Sequence, residues 1–305
     1  MADGSVRSDP LEQDLSPERV NYAIGVQLDA QDFLAEQTYH RAQLARMLRY
    51  LAGMGTLAGL RVSPPATGDA ELTLRVEPGL AIDRLGRLIE IRVAQCIRLA
   101  RWFADQTPDA LRAALHRTPA VPVDAAVVAD VFLSWHAAPR GKTPAFVAGP
   151  FAALDAVVPA RLADAHELRL VLRKESTAPA PGGTDPTPLP SPNNFWPDPA
   201  GIADAAERRR QMLQAVLGSW HEGTAFRTGE SLDPLREHVE GEDPTAVLLA
   251  RVTIPAALDP AAPSGTMPAL RADQPVVIDN SLRPFVFLPG KWLGEAFTAG
   301  PLTLP

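Results

Sequence analysis

The 305-residue chain contains one cysteine, Cys96, so it forms no internal disulfide and no cysteine-based metal cluster. In the alternating run from Ile91 to Leu99, Cys96 reads as a small buried hydrophobe. Without a disulfide framework, nothing demands an oxidising compartment. Positive charge is also in short supply. The 29 Lys and Arg residues against 36 Asp and Glu leave a net charge of −7. A nucleic-acid binder gathers basic side chains against phosphates, so nucleic acid is not an expected partner. No run approaches the length of a membrane span, and no membrane-crossing helix is expected. The first ten residues lack the apolar centre of a signal peptide, which predicts synthesis in the cytoplasm.

Motifs that carry chemistry are equally scarce. The six histidines (His40, His116, His136, His166, His221 and His238) show no metal-ligand spacing, and neither an HExxH nor a GxSxG pattern occurs. The run His136-Ala-Ala-Pro-Arg-Gly141-Lys142-Thr143 resembles a phosphate loop. However, His136 replaces its first glycine and Pro144 stands where the helix should begin. Gly53-x-Gly55-x-x-x-Gly59 has one residue too many for a dinucleotide fingerprint and follows a helix instead of opening one. No catalytic residue, metal or cofactor is expected, and enzyme activity is not expected. An acid/base site around His136, His166 or Glu167, in an enzyme or toxin cargo, is the alternative. A surface- or glycan-binding module built on exposed tryptophans is another.

Structure, by contrast, is well signalled. The 46% apolar fraction suits a folded chain, while 31 prolines shorten its elements and favour turns, edge strands and extended connectors. Asp29, with Asp32 three residues on, predicts the start of a helix that runs to Leu51 and closes at Gly53. Along it Phe33, Leu34, Gln37, Leu44, Met47, Leu48 and Leu51 keep helical spacing, with Arg41, Arg46 and Arg49 off that stripe. Short alternating strands follow around turns at Pro78-Gly79 and Arg84-Leu85-Gly86. A short helix is predicted from Pro108 to His116, and strands over Val127–Trp135, Glu167–Arg173, Ala246–Ile254, Val276–Ile278 and Phe285–Leu288. A second strong helix is predicted from Asp204 to Trp220. The expected organisation is an arm at 1–20, a helix plus β-rich domain at 21–175 and a Pro-rich linker at 176–200. A helix plus β-rich portion at 201–290 and a tail at 291–305 complete it.

Three segments taken in order, Val26 to His40, Gly53 to Val62 and Val76 to Arg87, resemble bacterial proteins associated with contractile, phage-tail-like injection systems and prophage tails. Val131-Phe-Leu-Ser-Trp135, Arg161 to Leu168 and Ala246 to Val252 are similar in type and spacing. The chain departs from that pattern at Ala23-Ile24-Gly25 and at Thr56, Leu57 and Ala58. The resemblance implies a structural component near the baseplate, or an adaptor for fibres, without enzyme activity. It also implies partners among other tail or baseplate proteins in a multi-copy symmetric particle.

The expectation is therefore an α+β, β-rich fold with a long N-terminal helix packed on small antiparallel sheets, joined by Pro-rich connectors and arms. Its function would be docking. The docking candidates are Phe33, Gln37, Tyr39, His40 and Arg41 on the helix, Asp83 and Arg84 at the turn, and Phe285, Phe287 and Trp292 in the C-terminal run. That run reads as a strand-like tail inserted against a partner. Residues 1–20, 176–199 and 255–275 read as draping arms. Gly55, Gly59, Gly79 and Gly86 are expected to be backbone-critical.

Overall fold

The structure, a computed structural model, describes residues 9–12, 18–116, 125–144, 157–173, 202–218, 232, 234–235, 237–259 and 261–286. The linker at 176–200 and the tail at 291–305 lie outside these, as do Phe287, Trp292 and most of the arm at 1–20.

The long helix α1 spans Ala30–Leu51. Asp29 caps it by accepting from the amides of Gln31 and Asp32, while Asp32 accepts from the Asp29 amide. At the other end Gly53, at φ +78°, takes the left-handed conformation and its amide bonds to the Leu48 carbonyl.

Three chain passes follow, each broken once. They are β1 (Gly55–Gly59) with β2 (Val62–Ser63), β3 (Thr73–Val76) with β4 (Gly79–Ile82), and β5 (Leu88–Ile91) with β6 (Gln95–Arg98). The breaks divide them between two antiparallel sheets, ordered β1-β4-β5 and β2-β3-β6. Helices α2 (Leu99–Ala104) and α3 (Pro108–Ala113) come next, the latter capped by the Thr107 hydroxyl. The expected helix to His116 stops at Ala113, because Leu115–His116 (β7) pairs with the strand that follows.

That strand, β8 (Ala126–Arg140), is the centre of the larger sheet. Its first nine residues are buried, consistent with an apolar run covered on both faces. A small pair, β9 (Thr143–Pro144) and β10 (Val157–Val158), leads to β11 (Arg161–Leu172), which pairs with β8 along its whole length. Helix α4 covers Ala205–Gly218. Strand β12 (Val247–Ala257) lies on the other side of β8, with Val247 opposite Leu133 and Pro255 opposite Ala126. β13 (Ala269–Leu270) and β14 (Val277–Asp279) pair with β12. The sequence before and after residues 174–201 thus shares one sheet. One core joins the small sheets to the large one, through Leu60, Leu74, Ile89 and Ile91 against Val131, Leu133, Val252 and Ile254.

The fold is α+β with small antiparallel sheets, as expected. Several details differ. Residues 255–275 do not drape as an arm: they finish β12 and return as β13, with the Arg271 amide on the Pro255 carbonyl. Cys96 is exposed. On edge strand β6 the period of two turns Ile97 inward and Cys96 outward.

Candidate docking surface

The site is built on a buried polar clamp that holds α1 against the sheets. After β4 the chain turns at Asp83, whose Oδ1 accepts from the amides of Leu85 and Arg87, both at 2.9 Å. The turn brings Arg87 back beneath Asp83, with Nε donating to Oδ2 at 2.6 Å. Arg87 Nη1 donates to Asp9 Oδ2 at 3.0 Å and Nη2 to the Thr245 hydroxyl at 3.0 Å. Its guanidinium lies 4.7 Å from the Trp135 ring centroid. The other Asp9 oxygen accepts from Arg41 Nη2 at 3.1 Å, and Arg41 also approaches Trp135. Burial alone would lower the Arg87 pKa. The Asp83 and Asp9 carboxylates outweigh it and hold the group above its ordinary value, so the guanidinium stays charged.

The clamp joins the 3-10 turn Pro10–Glu12, α1, the β4–β5 turn, β8 and the 243–245 loop. It also corrects the reading of the turn. Asp83 is fully buried and cannot dock on a neighbour, and Arg84 is half-buried with Nη1 donating to the Pro244 carbonyl at 3.1 Å. Gly86, at φ +83°, is where the turn meets α1. A Cβ there would lie 2.0 Å from the Ala45 carbonyl oxygen, so only glycine permits this approach.

The face of α1 turned to the body is small. Ala42, Ala45 and Arg49 are its buried residues, and burial lowers the Arg49 pKa. The large apolar stripe faces outward: Phe33, Leu34, Leu44, Met47 and Leu51 are all exposed, Phe33 by 53%. Gln37 is exposed between them. His40 is exposed too, its Nε2 2.8 Å from Glu36 Oε1, and Tyr39 is half-buried, edge-on to the His40 ring. Arg41 is exposed but tied to Asp9. Tyr22, Ile24 and Val26, ahead of the helix in sequence, are exposed as well. Together they make eight of the fourteen exposed large apolar side chains among the described residues.

The C-terminal candidates sit elsewhere. The backbone at Phe285 forms a parallel bridge to Thr56 in β1, with the Thr56 amide on the Pro284 carbonyl and the Val286 amide on the Thr56 carbonyl. As far as Val286, then, the run lies on this chain's own edge strand and not on a partner. Gly55, at φ +128°, admits it, since a Cβ there would meet the Pro284 oxygen at 2.5 Å. Gly59 and Gly79 oppose each other in β1 and β4, each with backbone oxygen 2.2 Å from a Cβ position. Arg283 Nη1 donates to the Leu60 carbonyl at 2.8 Å and Nη2 to Asn280, whose amide donates to the Val62 carbonyl. Burial brings the Arg283 pKa down to about 10. The Phe285 ring itself is exposed.

Of His136, His166 and Glu167, the register separates His166 and leaves His136 and Glu167 as diagonal neighbours on one face of the sheet. On β8 and β11, Trp135 pairs with His166 and Ser134 with Glu167, so alternation puts His166 on the face opposite to both His136 and Glu167. A cleft of about 670 Å³ beside α3 and β11 contains the Arg169–Glu242 ion pair at 3.1 Å. Among the described residues, no cluster of three or more His, Cys, Asp or Glu is placed to hold a metal, and no helix is long and apolar enough to cross a membrane. No protein-family model matches this chain, and comparison with curated proteins finds no relative.

Proposed function

We propose that the protein is a structural component or adaptor of a contractile phage-tail-like particle, in the baseplate or fibre-attachment region, and that it docks through the outward face of α1. The exposed apolar stripe, on a helix tied to the body through Ala42, Ala45 and the Arg41–Asp9 pair, is the observation that carries this reading. Isolated surface hydrophobes are ordinary, whereas a contiguous apolar patch on a soluble protein usually marks an interaction site. Burying the exposed halves of Phe33, Leu34, Leu44, Met47 and Leu51 would release on the order of 5 kcal/mol. The stripe is presented on a formed, capped helix, which lowers the ordering cost of docking. The sequence resemblance at Val26–His40 supports the class of particle, since those residues include the first part of the stripe. Sheathed particles purified from the producing cell should contain the protein by mass spectrometry. Its absence from intact particles would reject the proposal.

A further inference from the structure

Building on the docking face assigned to α1, we infer that its occupant is α1 of a second copy of this chain, paired in parallel as a short coiled coil. The exposed face contains Phe33, Gln37, His40, Leu44, Met47 and Leu51, spaced four, three, four, three and four residues apart. That is a heptad seam, which fits another helix of the same spacing and is therefore self-complementary. With Gln37, Leu44 and Leu51 at a and Phe33, His40 and Met47 at d, the seam lies opposite Ala42, Ala45 and Arg49, which face the body. None of the six seam residues makes a bond of the clamp; Arg41, which bonds Asp9, lies at the flank of the seam.

Charge selects the orientation. Glu36 occupies a g position and Arg41 the e position five residues later. A parallel, in-register pair therefore brings Glu36 of each helix, now beside its own His40, to Arg41 of the other, whose Nη2 stays on Asp9 and whose other guanidinium donors face it. An antiparallel pair centred on the seam instead brings Arg41 near its own copy, a like-charge contact. Gln37 at a meets its counterpart only in the parallel register, the usual device by which a polar a residue fixes alignment. From Phe33 to Leu51 the strip is about 27 Å long. Pairing it buries less than the roughly 1,600 Å² of a standard interface, so the isolated protein should dimerise weakly, with Kd on the order of 10 µM.

The test is done on the full chain, in a Cys96→Ser background so that the exposed native thiol does not interfere. Sedimentation equilibrium should give a monomer–dimer equilibrium that Leu44→Asp with Met47→Asp abolishes. Glu36→Lys should weaken it about fivefold through the loss of two exposed pairs. When Phe33→Cys and Leu51→Cys chains are mixed and oxidised, parallel pairing gives only like-with-like disulfides. Mixed disulfides between positions 33 and 51 would overturn the orientation, and a monomer well above the expected Kd would overturn the pairing. So would cross-links showing α4 of the same chain seated on the stripe. A monomeric chain whose incorporation into particles still depends on Leu44 and Met47 would reject self-pairing and keep the docking reading. A dimer whose incorporation ignores those residues would do the reverse.

Discussion

Replacing Arg87 with methionine tests the clamp. Methionine keeps most of the aliphatic volume and removes the guanidinium. The Arg87 side chain is 4% exposed, with Asp83 at 0% and Asp9 at 3%, so solvent cannot take over the lost bonds. After substitution Asp83 keeps the amides of Leu85 and Arg87, and Asp9 keeps Arg41. Asp83 nevertheless loses its charged partner, while Asp9 keeps the Arg41 guanidinium. Breaking a buried pair by removing one member costs about 3–5 kcal/mol, and the surviving bonds place this case near the lower figure, about 3 kcal/mol. Arg41→Met is the control: its side chain is 42% exposed, and the loss should stay below about 1 kcal/mol. Urea unfolding followed by far-UV circular dichroism measures both. Adding Asp83→Asn to Arg87→Met should recover part of the loss, since one uncompensated charge is gone. If Arg87→Met costs no more than Arg41→Met, Arg87 does not join the 3-10 turn, the β4–β5 turn and the 243–245 loop as argued.

Gly86→Ala should destabilise by at least about 1 kcal/mol from the left-handed backbone alone. It should also speed hydrogen exchange in α1, because Ala45 must move. Arg283→Ala should leave the Leu60 carbonyl without its donor and cost about 1–3 kcal/mol, with faster exchange at the amides of Thr56 and Val286. His238 accepts the Leu235 amide at Nδ1 and places Nε2 2.9 Å from the Ala246 carbonyl, which fits the neutral ring with its proton on Nε2. Burial lowers its pKa. The unfolded chain therefore binds this proton near pH 6.5 while the folded chain does not, so the stability from His238 is present above that pH and falls away on acidification. Unfolding between pH 7.5 and 5.5 should show this slope, and His238→Gln should flatten it.

The elements were legible where local chemistry decides them. Asp29 with Asp32 and Gly53 bound α1 in sequence and structure alike, because caps act within one turn of chain. A continuous apolar run located the buried part of β8, and alternation located the second half of β11; β12 and β14 fell on their predicted segments. The face that α1 turns to the body was hidden, since a stripe of large apolar residues is usually the packed one. Here Ala42 and Ala45 pack instead, against Leu11, and the close approach of Gly86 to the Ala45 backbone leaves little room for larger side chains there. Asp83 and Arg84 suggested an exposed turn, yet Asp9 and Thr245, distant in sequence, close over it. Their interaction with Arg87 leaves no local signature. Cys96 was misread as buried, although the alternation that turns Ile97 inward turns its neighbour outward.

The central claim is that the outer face of α1 attaches this protein to its assembly. The most direct measurement is the amount of the Leu44→Asp, Met47→Asp variant in purified particles, relative to the unsubstituted chain. Both side chains are exposed, so the variant should keep its circular dichroism spectrum and urea midpoint yet be missing from the particles. A folded variant incorporated at the normal level would contradict the account.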